Sequence, residues 1–546
     1  MSKVVKIVAL VAIAVAIVVF AAPIAGAIAG LGAGAASAAA VAAVTSAVVG
    51  VGLSIGLSAI STLFRKAPSL SNALSDRLSA SINPSAPRKI VFGRTAGGND
   101  LRFFEMYGSK KDRYAQVIAL ASHKLNAINA IYTEEELTWS NGSLLLHQDG
   151  IFSVRAITEG KAGTGFALGS GSYWRNTATY TGCAYLAIDW KYDSKAWPSG
   201  IPSKLTTLVE GCPVYDPRLD SSNGGSGSHR LNDQSTWEYR SNGVELGRNP
   251  ALCLLAYVIG WKCNGKAMWG MGIPSNRINF DNFRTYANVC EERVLLQTGA
   301  TTQRYYCDGI FSTSDTHESI ISAITAAMGS CKFSDVGGLY GLVGGFDDTL
   351  GPKQAFTDDD LVGGTGAPVP YSWLPAGPSR ETYNIARGRF ADPAQQFQLA
   401  DWGVIETDPL PDGIDRTLTL DFGCVSSAEQ CQRIAKQFLM REAKTPGFFS
   451  ATFGPRAFAV QVGSLVTLSL PSQGWNSKLF RVQEQREVHD MLYTMTLREE
   501  SSEVYAWDRE EKPLPATIRP PGFDASMTVA VQGLTATSTA YTGVGA

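Results

Sequence analysis

Hydrophobic and polar positions divide this chain into two unlike parts. From Ile7 to Phe64 no residue is charged. Val4–Ala22 is a continuous apolar run apart from Lys6, and Pro23 closes it. A helix of about 20 such residues would cross a hydrocarbon core about 30 Å thick. Alanine and glycine follow, with Gly26 and Gly30, and then Gly52 and Gly56, spaced four apart. Small residues at that spacing let helix backbones approach closely. A second apolar stretch, Val41–Phe64, is about as long as the first. The pattern predicts an apolar helical segment over 1–67. The residues expected to touch a lumen or a membrane are Val4, Ile7, Leu10, Ile13, Ile17, Phe20, Gly26, Gly30, Gly52, Gly56, Leu63 and Phe64.

Three readings of this segment compete. Lys3 and Lys6 before an apolar run, with Ala21-Ala22 behind it, fit a signal peptide, but apolarity continues for some forty residues beyond any such cleavage point. A helical hairpin spanning a membrane is the second. The third is a segment buried in an assembly, packed on other subunits or lining a lumen, and the rest of the chain favours it.

Beyond residue 67 the periodicity is mostly that of strands. Arg88–Gly93, Tyr114–Ala121 and Ala127–Tyr132 are short apolar runs of buried-strand type. Ser464–Leu470 is apolar and β-branched, while Phe480–Gln485 and Leu492–Leu497 alternate at period two. Four helix starts are legible. Asn249-Pro250 opens a helix to Ile259, with Gly260 as its stop. Asn279 caps Phe280–Cys290. Asp315 with Glu318 resembles a capping box before the stripe Ile320, Ile321, Ile324, Ala327 and Met328. Ser426 with Glu429 forms a second such box before Cys431, Ile434, Ala435 and Phe438. These stripes read as core faces. Glycine-rich spacers (160–172, 223–228, 363–366) and proline-rich loops (368–378, 513–521) separate the elements.

The expected fold is therefore α+β and β-rich multidomain: small antiparallel β-barrels or sandwiches with inserted helices, plus the apolar N-terminal α-helical segment. The expected division is 1–67 apolar segment, 68–87 linker, 88–240 first β-rich region and 241–335 helical insert. Then come 336–420, β-rich with Gly/Pro loops; 421–512, a helix plus C-terminal β-barrel; and 513–546, a Pro/Thr/Ala-rich tail.

Composition sharpens the picture. The 546 residues hold 47 Lys+Arg against 49 Asp+Glu, a net charge of −2. Bulk-charge binding of nucleic acid is excluded, since such domains are clearly basic. The first 67 residues carry +4, leaving 43 basic against 49 acidic residues in the remainder. Charged residues are 18% of the whole, below the usual quarter or so. Glycine, at 55 residues, suits a turn-rich β assembly with much of its surface covered by neighbours. With 45% hydrophobic and 10% aromatic residues, disorder is excluded.

Catalytic constellations are wanting. The nine cysteines include no Cys-x-x-Cys pair, and their odd count and scatter fit reduced thiols from a cytosolic folding compartment. His317-Glu318 has no second histidine four residues on, so the zinc-protease pattern fails. No Gly-x-Ser-x-Gly elbow or phosphate loop is present. Asp347-Asp348 and Asp358–Asp360 could bind Ca²⁺ or act in glycoside hydrolysis, but read more simply as solvated loops. Neither enzyme activity nor a cofactor or metal is expected.

Several ordered motifs carry a resemblance. Arg88-Lys-Ile-Val-Phe-Gly-Arg94 with Gly97-Gly98 is followed by Tyr114–Leu120 and Ile131-Tyr132. Then come Gly211-Cys-Pro-Val-Tyr-Asp-Pro-Arg218, Asn249-Pro-Ala-Leu252, Ala287-Asn288, Cys290-Glu291 and Arg304–Gly309. Ser426–Lys436, Val462–Val466 and Leu497–Glu500 complete the series. In this order, from about 88 to 507, they resemble the hub portion of the tail-tip attachment (host-specificity) proteins of long, non-contractile-tailed phages. The resemblance implies a homotrimeric hub in the virion, closing the tail tube. It implies as partners the tail-tube or distal tail protein, the tape-measure protein and a tail fibre or receptor-binding protein, with host membrane met during DNA ejection. Larger relatives continue into fibronectin-like and receptor-binding regions, whereas this sequence ends in a Thr/Ala-rich stretch, so another protein is expected to supply receptor binding. The alternative from another class is a membrane-anchored or pore-forming surface protein, with 4–64 as a hairpin anchor. A cell-wall hydrolase is a third, without candidate residues.

Overall fold

The computed structural model describes residues 87–514, apart from 98–99, 134–135, 147–149, 198–201, 203–204, 330, 346–351, 363–370, 376–381, 411 and 489–490. The lumen- or membrane-contacting residues expected at Val4, Ile7, Leu10, Ile13, Ile17, Phe20, Gly26, Gly30, Gly52, Gly56, Leu63 and Phe64 lie outside these, as does Asp347-Asp348. The described part is α+β and β-rich, with several small sheets and four α-helices.

Two antiparallel sheets form the first layer pair. One orders its strands Asp100–Tyr107, Arg113–Ala121, Ala184–Lys191, Phe152–Ile157. The other runs Arg94–Ala96, Leu205–Glu210, Ala127–Thr133, Glu136–Ser140, Ser143–Leu144. Alternate residues of both face a shared core that includes Ile118, Ile188, Trp190, Ile131 and Val209. The outer face of the first sheet is covered too, by a loop that brings Phe166, Trp174 and Tyr180 onto Val117 and Tyr185. That second cover explains why Ala184–Trp190 is a continuous apolar-rich run, buried on both faces.

The central core surrounds the helices. Helix α1 (Pro250–Ile259) is apolar on all sides and nine of its ten residues are buried, as expected for a helix enclosed by protein. Asn249 caps it by accepting from the backbone N–H of Ala251 and Leu252, and Gly260 takes the positive φ that ends it. Helices α2 (Phe280–Glu291) and α3 (His317–Ala326) pack on α1. The strand Lys89–Phe92, paired antiparallel with Gly309–Ser312, places Ile90 and Phe92 in the same core. Helix α4 (Ala428–Lys444) completes it with Cys431, Ile434, Ala435 and Leu439.

The C-terminal sheet has six strands, ordered Gln354–Thr357, Leu465–Leu470, Trp475–Glu487, Tyr493–Glu499, Phe448–Phe453, Tyr371–Leu374. Only its first pairing is parallel. Phe356, Phe449, Leu468, Phe480 and Met495 fill its core.

Two expectations are corrected. Helix α3 is capped by Thr316, whose side chain accepts from the Ser319 N–H; Asp315 instead accepts from the Ser312 N–H in the preceding turn. Helix α4 is capped by Ser427, through the Gln430 N–H, and not by Ser426. On the period-two strands several polar positions are covered as well. Arg481, Thr494, Thr496 and Arg498 are buried, because loops and the end of α4 cover that side: Arg498 donates to the Thr445 and Arg441 carbonyls.

Candidate functional site

Among the described residues no group of three or more His, Cys, Asp or Glu side chains could hold a metal ion. No disulfide joins any of the nine cysteines. Asp358–Asp360 forms a short 3-10 turn whose Asp360 receives Arg456 at 2.9 Å. No described helix is long and apolar enough to cross a membrane. What the structure does contain is a set of buried polar joints, built largely by the ordered sequence motifs.

The first joint centres on Asp308, which is fully buried. Its Oδ1 accepts from the Arg94 backbone N–H at 2.7 Å and from Arg248 Nε at 2.9 Å. Its Oδ2 accepts from Arg248 Nη2 at 2.7 Å and from the Ser426 hydroxyl. Arg248 also donates to Glu245 at 2.8 Å and lies over the Tyr306 ring at 4.1 Å. Burial alone would lower the Arg248 pKa; the Asp308 charge outweighs it and holds the guanidinium well above its ordinary value. Gly93 makes the approach possible. Its φ is +67°, and a Cβ there would sit 2.0 Å from the Cys307 carbonyl oxygen and 2.2 Å from Asp308 Oδ1.

The second joint gathers four of the motifs. Arg218 Nε and Nη2 fork onto Asp216 at 3.0 and 2.6 Å. Its Nη1 and Nη2 fork onto Glu291, both at 2.7 Å, and Nη1 also donates to Asn288 at 2.8 Å. Asn249 completes the ring: its amide donates to Glu291 at 2.9 Å and to the Ala287 carbonyl at 3.0 Å while its oxygen caps α1. Gly211–Arg218, Asn249–Leu252, Ala287-Asn288 and Cys290-Glu291 are thus one constellation. Paired forks of this kind fix orientation as well as adding energy.

Helix α4 is the third joint. Gln430 accepts from the Tyr306 N–H at 2.8 Å and donates to the Tyr306 and Ala327 carbonyls, both at 2.9 Å. Gln432 donates to the Trp402 and Lys512 carbonyls and accepts from the Lys512 N–H. Gln437 donates to the Tyr305 hydroxyl at 2.9 Å. One helix therefore holds four separate segments by backbone-specific bonds.

Spacing alone did not single out Arg248, Asp308 or the α4 glutamines. The available signal was the position of Arg248 directly before the cap residue Asn249, and of Asp308 within a quoted motif. On the surface, the edge strand Asp100–Tyr107 presents Phe104 and Met106, 50% and 47% exposed. Tyr173 (78%) and Phe458 (71%) are the most exposed large apolar side chains among the described residues.

No curated protein matches the sequence. Solved structures that align with the chain include the following three. A chain in the virion of a native gene transfer agent particle aligns with a TM-score of 0.48 and 12% identity, over 78% of this chain and 88% of that one. A tail protein from Neisseria meningitidis MC58 aligns at 0.28 and 9%, over 77% and 98%. The 43 kDa tail protein of prophage MuSo2 from Shewanella oneidensis aligns at 0.27 and 9%, over 77% and 96%. Residues 323–484, which run from within α3 through α4 and most of the C-terminal sheet, match the family model Phage-tail_3, described as "Putative phage tail protein".

Proposed function

We propose that this chain is a structural virion protein, the trimeric hub that closes the tip of a phage tail tube, anchors fibres, and takes part in host attachment and DNA ejection. The observation that carries the reading is the family match over 323–484. The joints support it. They use charge and hydrogen bonds to hold motifs far apart in sequence, which is what a load-transmitting subunit needs. In this reading three copies meet the tube and the distal tail protein on one side and a fibre or receptor-binding protein on the other. The uncharged segment 7–64 lies in the lumen against the tape-measure protein and enters host membrane when the particle fires. It acts without a cofactor, and does not bind nucleic acid specifically. The expected division of the chain, from 1–67 to 513–546, follows the same scheme.

Cryo-electron microscopy of particles carrying a tagged copy tests this directly. Threefold density for the chain at one end of a tube is expected; its absence from particles, or a sixfold ring along the tube, sinks the proposal. Deleting residues 4–64 tests the lumen role, and tails that eject DNA normally without them would refute it. The second reading, a membrane-anchored or pore-forming surface protein, is favoured by the length of the uncharged segment. Sedimentation separates the two: the hub travels with tails in the absence of detergent, whereas an anchored protein partitions into membranes.

A further inference from the structure

A cavity of about 210 Å³ opens between the end of α4, the hairpin Lys332–Val343 and the C-terminal sheet. Its lining includes four cations, Lys332, Arg441, Arg481 and Arg498, against two acids, Glu499 and Glu500. The acids are already engaged. Glu500 pairs with Arg481 at 2.6 Å, and Glu499 pairs with Lys478 and accepts from the Gly447 N–H. Arg498 bonds Glu442 at 2.9 Å and the carbonyls at the end of α4. That leaves its Nη1 buried with no hydrogen-bond partner among the described residues. Arg441 donates through Nη2 to the Tyr505 hydroxyl at 3.0 Å but faces no carboxylate at that distance among the described residues, and Glu484 opposes Lys332 only from farther off. Crowding by protein, together with the neighbouring Arg441 and Arg498 charges, holds the Lys332 ammonium below the usual lysine range.

A buried guanidinium nitrogen without an acceptor is costly, and like charges gathered around a concave space repel unless an anion joins them. The space admits several waters or one such anion, and glycine at 344, 345 and 463 leaves part of its wall to backbone. We infer that this cavity is a binding site for a small oxyanion of the size and charge of inorganic phosphate or a carboxylate group. Arg498 and Arg441 supply charge-assisted donors and Lys332 closes the mouth. Bound there, the anion ties the last turn of α4 to the hairpin and to the sheet.

The test uses the purified full-length chain at constant ionic strength held with chloride. Inorganic phosphate is titrated by 31P line broadening, and acetate by calorimetry. Saturable binding of either is expected, and the tighter one identifies the chemistry. Lys332→Gln, at the cavity mouth, should weaken binding about tenfold. Lys266→Gln, exposed and outside the cavity lining, should leave it unchanged. Absence of saturable binding of both anions overturns the proposal. So does a Lys332→Gln affinity equal to wild type, or an equal loss in the Lys266→Gln control, which would mark diffuse charge attraction.

Discussion

Replacing Asp308 by asparagine keeps the side chain's shape and removes its charge. The Oδ1 position can still accept from the Arg94 N–H and Arg248 Nε. At the Oδ2 position, however, an amide NH₂ would face two donors, Arg248 Nη2 and the Ser426 hydroxyl. The serine can rotate to accept; the guanidinium cannot. Arg248 would then be a cation with 16% of its side chain exposed, left with Glu245 as its remaining acid. Breaking one partner of a buried pair costs about 3–5 kcal/mol, and that is the expected loss for Asp308→Asn. Urea unfolding of the full chain, followed by tryptophan fluorescence from the central core that contains Trp261 and Trp269, measures it as a fall in midpoint. A cycle with Arg248→Met isolates the pair, because the double variant removes both charges. It should recover at least about 2 kcal/mol relative to the sum of the single losses. A single-variant loss below about 1 kcal/mol, or strict additivity in the cycle, would show that Asp308 does not hold this joint together.

Three other expectations follow from the same geometry. Gly93→Ala forces a Cβ into the Cys307 carbonyl and Asp308 at φ +67°, and should cost more than about 2 kcal/mol by the same unfolding assay. Arg218→Lys keeps the charge but cannot fork onto Asp216 and Glu291 together; a loss of about 2 kcal/mol is expected, and full retention of stability would contradict the paired-fork reading. His123 is fully buried, accepts from the Val91 N–H through Nε2, and burial lowers its pKa from 6.5 to about 4. The unfolded chain therefore takes up the proton first. Stability present above pH 6.5 is lost as pH falls toward 4, by about 3 kcal/mol in all. Subtracting the pH profile of His123→Gln from that of wild type should isolate this loss, and identical slopes between pH 6.5 and 4 would refute it.

Much of the local structure could be read from residue pattern, because its causes are local. Asn249 and Asn279 cap helices through their own nearby N–H groups, and Pro250 and Gly260 bound α1 by backbone preference alone. Runs such as Arg113–Ala121 announce strands through apolar density. The ordered motifs were visible as well, since they are strings of residue types. What they do together was not visible. Asp216, Arg218, Asn249 and Glu291 become one network only when α1 and α2 pack side by side. The misplaced cap at α4 has the same origin: the Ser426 hydroxyl is taken by Asp308, 118 residues earlier, so Ser427 caps instead.

The strands after Leu465 mark the limit most clearly. Thr and Arg alternate there with apolar residues, and a period-two pattern records polarity and not the cover above it. The fold sets the end of α4 over that face, and Arg498 spends its donors on helix-end carbonyls and Glu442. By itself the sequence determined where helices lie to within a residue at their starts, which stretches extend, and that residues 7–64 are a chemically separate segment. Only the tertiary structure decided which polar groups are buried and with whom they pair. Burial and pairing depend on segments brought together from hundreds of residues apart, and no local pattern encodes that meeting.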